Sequence, residues 1–133
     1  MQKLLLAYDG SDHSRRALEL AAEMTRRFGA ALTVVSVVPV HPGRSPIDPW
    51  DDSHVHAEEL LDARRLLREE GIEPKLVESA GSVPETIERF AEAGSFDAVI
   101  VGSRGLGLLG RALQGSVSEH VATHSTTTVV VAR

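Results

Sequence analysis

Five short apolar runs punctuate the chain, separated by longer stretches in which apolar residues recur every three or four positions. The runs are Leu4 to Tyr8, Leu32 to Val38, Lys75 to Glu78, Ala98 to Val101 and Thr128 to Ala132. The second, fourth and fifth are rich in Val and nearly unbroken, which predicts strands covered on both faces. Between the first two runs, Ala17, Leu20, Ala21, Met24 and Phe28 keep helical spacing, and Gly29 is placed to stop that helix. Asp12 or Ser11 serves as its N-cap. A second helix carries Leu60, Leu61, Arg64 and Leu67 down one side and ends at Gly71. A third shows Val83, Ile87, Phe90 and Ala91, opened by Ser82 and closed near Gly94. A fourth, shorter one starts near Ser116 and carries Val117 and Val121.

This alternation predicts an α/β fold: a single open, doubly wound, five-stranded parallel sheet with helices on both faces and right-handed crossovers. The expected strand order is 3-2-1-4-5, which puts the reversal of winding between the first and fourth strands. One domain is expected over residues 1–133, without internal repeats. A segment at about 41–53, holding Pro42, Pro46 and Pro49, reads as a flap or linker.

Ligands of such sheets collect outside the carboxyl ends of the strands at the reversal. Special residues follow both strands there. Asp9, Gly10 and Ser11 come after the first. After the fourth come Gly102, Ser103, Arg104 and Gly105, then Gly107, Gly110, Gly115, Ser116, Val117 and Ser118. Glycines let backbone amides approach an anion closely, and a helix start at Ser116 offers free N–H donors to phosphate. A tight turn would account for one or two of these glycines. It accounts poorly for five, bracketed by a buried strand and a helix start.

The string Gly102-x-x-Gly105, nine further residues, then Gly115-Ser116 resembles the nucleotide motif of the universal stress protein family. The resemblance runs along essentially the whole chain and includes Asp9, the Gly81 and Pro84 pair and the closing Val-rich strand. It implies the adenine nucleotide alpha hydrolase-like fold and membership of the ATP-binding subgroup. By the same resemblance, Asp9 would bind the ribose or adenine end and the backbone near Val37 would read the adenine edge. Val101 would line the nucleoside pocket. Gly102, Gly105, Gly115, Ser116, Val117 and Ser118 would hold the phosphates of ATP, with any Mg²⁺ riding in on them. Relatives are often dimers through the last strand, so a homodimer through Thr128 to Ala132 is expected. That strand is apolar and placed at the sheet edge, where it invites pairing. The chain departs from the usual family pattern at Ser36, where many relatives have His, and at Thr126, Thr127 and Thr128, where many have prolines.

Composition narrows the function further. The net charge is −5, from 19 acidic and 14 basic residues, which argues against non-specific nucleic-acid binding. There are no cysteines, so disulfides, iron–sulfur clusters and thiol catalysis are excluded. The first apolar run is too short for a signal peptide and no stretch approaches the ~20 residues of a membrane span. A cytoplasmic protein is expected.

Other signals carry less. Gly105-x-Gly107-x-x-Gly110 matches the dinucleotide fingerprint but follows the fourth strand, and no P-loop string exists. His54 and His56 are two apart and diverge on a helix. His120 and His124 have metal spacing but no third ligand. Asp9, Ser11 and His13 are close in sequence, which is not triad geometry. Arg104 and Arg111 either reach the phosphates or solvate the loop, and Trp50 reads as packing on its own domain. Fast phosphoryl transfer needs a fixed metal, a cation over the transferring group and a group that positions the nucleophile. The motif offers phosphate holders without an evident base or lysine. The expectation is therefore a nucleotide-dependent sensor in stress response, acting on an unknown protein partner. A slow ATPase or autophosphorylating enzyme and a dimeric scaffold with a vestigial site are the alternatives.

Overall fold

Every apolar run becomes a strand in the computed structural model, which describes residues 1–39, 52–81, 83–103 and 127–133, with backbone alone at 38, 39, 52–56, 83 and 84. The strands are β1 (Lys3–Ala7), β2 (Ala31–Pro39), β3 (Lys75–Gly81), β4 (Ala98–Gly102) and β5 (Thr128–Ala132). The helices are α1 (Asp12–Phe28), α2 (Asp52–Glu69) and α3 (Val83–Ala93). All four strand pairs are parallel, in the order β3-β2-β1-β4-β5. The expected sheet and its expected order are both present. The loop expected at about 41–53 lies almost wholly outside the described residues, as do Trp50, the cap at Ser82 and the fourth helix.

Register sorts the side chains. Leu4 pairs with Leu32 and Ala98, and Leu6 with Val34 and Ile100. Because successive residues point to opposite faces, these residues and Tyr8 form one core with Ala17, Leu18, Ala21 and Ala22 of α1 and Leu60, Ala63 and Leu67 of α2. Leu5, Ala7, Val35, Val37, Val99 and Val101 form a second core on the other face with Ile87 and Ala91 of α3. Leu4, Leu5 and Leu6 are all fully buried, so β1 is apolar without alternation because it has helices on both sides. Each such leucine contributes about 1.5–3 kcal/mol relative to exposure.

The helices end as their sequences dictate. Ser11 caps α1: its Oγ accepts from the Ser14 amide at 3.2 Å, satisfying one orphan donor. Gly29 closes the helix at φ 62° and ψ 33°, a conformation that costs any residue with a Cβ.

Three expectations need correction. Phe28 is 51% exposed rather than part of the buried stripe, since it is the last residue of α1 and no described element covers it. Leu61 is 57% exposed, because the sheet-facing stripe of α2 runs through Leu60, Ala63 and Leu67 and Leu61 sits 100° around from it. β5 is not covered on both faces among the described residues: Val129 and Val130 are half-buried and Val131 is 38% exposed. An edge strand has a neighbour on one side only, and β5 has only β4.

Candidate functional site at the carboxyl edge of the sheet

β1 and β4 lie side by side where the strand order reverses, the place at which an open parallel sheet leaves a crevice beyond its carboxyl ends. From β1 the chain passes through Asp9, Gly10 and Ser11 into α1. From β4 it emerges at Gly102 and Ser103.

The turn after β1 is built from its own side chains. The Ser11 amide donates to Asp9 Oδ1 at 2.9 Å, a local bond that fixes the carboxylate. Ser14, almost fully buried, donates from its hydroxyl to the Ser11 carbonyl at 3.0 Å and accepts a long bond from the Asp9 amide at 3.4 Å. Asp9 itself is half-buried, and its second oxygen has no hydrogen bond among the described residues. The carboxylate therefore presents one committed and one available acceptor at the mouth of the crevice.

Gly102 has a packing role that its place in a glycine motif conceals. A Cβ built there would lie 2.8 Å from both the carbonyl carbon and oxygen of His13 and 3.0 Å from its Cβ. The first turn of α1 thus crosses directly over the end of β4, and only glycine leaves room for it. Just beyond, the Ser103 amide donates to the Ala132 carbonyl at 2.6 Å, tying β4 to β5. The Ser103 hydroxyl comes within 3.4 Å of His13 Nδ1. No hydrogen bond among the described residues joins His13 to Asp9, so Ser103 and His13 do not extend into a Ser-His-Asp relay there.

The second wall comes from β2 and α2. Val37 and Val101 are both 2% exposed and belong to the α3-side core, so they contribute apolar floor. On the other face, the Ser36 hydroxyl donates to Glu59 Oε2 at 3.5 Å, and Glu59 Cγ lies 3.5 Å from the Cβ position of Gly10. Glu59 was not anticipated from the sequence. Nothing in its spacing marks it; only the docking of α2 against β2 brings it over the β1 turn.

That docking is held one turn later. The Tyr8 hydroxyl, buried beneath α1 and α2, donates to Asp62 Oδ2 at 3.1 Å. Burial first, and the Asp62 carboxylate second, push the Tyr8 phenol up to about 12. The hydrogen bond from Arg65, with further help from Tyr8 and the charge of Arg15, holds Asp62 below the usual carboxylate range. This network anchors α2, and with it Glu59, to the strand that carries Asp9.

Of the anticipated site residues, Asp9 follows β1, Val37 lies near the carboxyl end of β2, and Val101 and Gly102 end β4, all on neighbouring strands. Gly105, Gly115, Ser116, Val117 and Ser118 lie outside the described residues, as do Arg104, Arg111, His120, His124 and the side chains of His54 and His56. Among the described residues, no group of three or more His, Asp or Glu side chains could hold a metal ion. No helix among them is long and apolar enough to cross a membrane.

Compared with known proteins, the whole chain, residues 1–133, matches the profile of the universal stress protein family. It belongs to that family. A universal stress protein of Thermus aquaticus is 31% identical over 142 residues, covering 98% of this chain and 97% of that one. Among solved structures, the universal stress protein UspA from Lactobacillus plantarum is 26% identical, with a TM-score of 0.77 over 99% of this chain and 97% of that one. The universal stress protein from Archaeoglobus fulgidus in complex with dAMP is also 26% identical, with a TM-score of 0.80 over 100% and 98%. The family membership accounts for the strand order.

Proposed function

We propose that this universal stress protein binds an adenine nucleotide, ATP in the cell, in the crevice beyond β1 and β4, and that occupancy acts as a sensor signal passed to a protein partner. The observation that carries this reading is the half-buried Asp9 carboxylate just after β1, held by the Ser11 amide with its second oxygen unbonded among the described residues. Support also comes from the Archaeoglobus fulgidus relative, whose structure holds dAMP. Asp9 would accept from a ribose hydroxyl or the adenine amine, Val101 and the Val37 backbone would line the base, and Gly102 would begin the phosphate cradle. Gly105, Gly115, Ser116, Val117 and Ser118 would complete it with amides and two hydroxyls, and Mg²⁺ would enter on the phosphates. The exposed Val131 of the edge strand β5 further supports pairing of two copies through Thr128 to Ala132 in a single-domain homodimer.

The test is calorimetric titration of the nucleotide-stripped protein with ATP and Mg²⁺, alongside Asp9→Asn and Gly115→Ala. Asparagine keeps the acceptor for the Ser11 amide and removes the charge. Micromolar binding that either variant weakens about tenfold, roughly 1.4 kcal/mol, supports the site. Failure of the parent protein to bind, or binding by both variants as tight as the parent's, overturns it.

A further inference from the structure

At the opposite end of the sheet, a cavity of about 630 Å³ opens where β1, β2 and β3 begin. Its volume falls within the range of small-molecule sites, roughly 300–1,000 Å³. We propose that it is a second binding site, taking a small aromatic carboxylate, independent of the crevice at the carboxyl edge.

Register places the polar groups side by side. Thr33 pairs directly with Lys75, so their side chains share one face of adjacent strands, about 5 Å apart along the sheet. Thr33 is only 7% exposed and lines the cavity, yet its hydroxyl has no partner among the described residues. Lys75 is exposed and likewise has neither an ion pair nor a hydrogen bond among them. An accessible hydroxyl on a largely buried residue and a neighbouring ammonium, both uncommitted among the described residues, are what a carboxylate needs to be held by two donors.

The remaining lining selects the sign and body of the ligand. Lys3 adds positive charge, while Arg26 is paired with Glu70 at 2.7 Å. The lone lining acid, Glu73, is already spent on Arg68, at 2.6 and 2.9 Å, and on Arg64. Phe90 and Phe96 stack with centroids 5.8 Å apart and form the apolar wall. Lys3 donates to the Gly94 carbonyl and sits 4.8 Å over the Phe96 ring, fixing that wall in place. A planar aromatic body against the two rings would direct its carboxylate towards Thr33 and Lys75.

The experiment is a titration of the isotopically labelled protein with 1-naphthoate, followed by amide chemical shifts. Saturable shifts at Thr33, Lys75 and Phe96 are expected, unchanged when ATP is present. Lys75→Gln should weaken binding at least fivefold, Lys75→Arg should retain it, and the neutral analogue 1-naphthalenemethanol should bind at least fivefold more weakly. Lys75 is exposed, so both variants should keep the parent's spectral dispersion. The proposal is overturned if no saturable shift occurs, if the shifts centre on Asp9 and Ser103, or if Lys75→Gln binds as tightly as the parent.

Discussion

Gly102→Ala separates a glycine kept for a ligand from a glycine kept for packing. The added methyl would meet the His13 carbonyl carbon and oxygen at 2.8 Å. To reach an ordinary contact of 3.4 Å, the first turn of α1 must retreat by about 0.6 Å. Two of the three crowded atoms are backbone, so no rotamer change at His13 relieves the clash. Overpacking of this kind costs about 1–3 kcal/mol, and the reduced freedom of the unfolded alanine chain returns about 0.4–1 kcal/mol. The net loss is about 1–2 kcal/mol, which for a chain of this length lowers the melting temperature by roughly 3–10 °C. Scanning calorimetry of the nucleotide-free protein measures it directly. Pairing the change with His13→Ala should restore little of the loss. A Gly102→Ala protein that melts within about 1 °C of the parent without nucleotide would refute the packing argument and leave only a ligand role for this glycine.

Further predictions concern the network beneath the site, the acid limb and the sheet edge. Tyr8→Phe removes the bond to Asp62 while leaving Asp62 with Arg65, so urea denaturation at neutral pH should show a loss of about 1 kcal/mol. Folded Tyr8 keeps its proton up to about 12 while the unfolded phenol releases it near 10, so the parent should lose stability as pH rises from 10 towards 12. Tyr8→Phe should flatten that limb. Asp62, Glu73 and Asp97 are all held below their ordinary values, so the unfolded chain takes up protons first and the urea midpoint should fall as pH drops through 4.5 and below 3.8. Asp97, which accepts from the Gln2 and Lys3 amides at 2.6 and 2.9 Å, should make Asp97→Asn less acid-sensitive than the parent. If β5 pairs two copies, Val131→Lys should shift sedimentation from dimer to monomer at equal concentration, and a parent that already sediments as a monomer at high micromolar concentration would refute the pairing.

The unbroken apolar runs determined the sheet, because a strand covered on both faces has no use for alternation and reads as a block. They also led to the strand order, since right-handed crossovers and a reversal leave few arrangements of five strands. The turn chemistry of Ser11 and Gly29 was legible for the same reason: caps act within four residues, and the chain itself supplies every partner. Asp9 and Gly102 could be singled out by type and position. Their physical roles could not. That Gly102 makes room for α1 depends on His13, eighty-nine residues earlier in the chain, lying across the end of β4. Glu59 over the β1 turn, Tyr8 bonded to Asp62 and Thr33 beside Lys75 are likewise products of docking and register. Periodicity reports which face of an element is apolar; it carries no record of which residue on another element stands opposite. Leu61 and Phe28 mark the same boundary, for their spacing suited burial and only the packing of sheet and helices decided that they stay exposed.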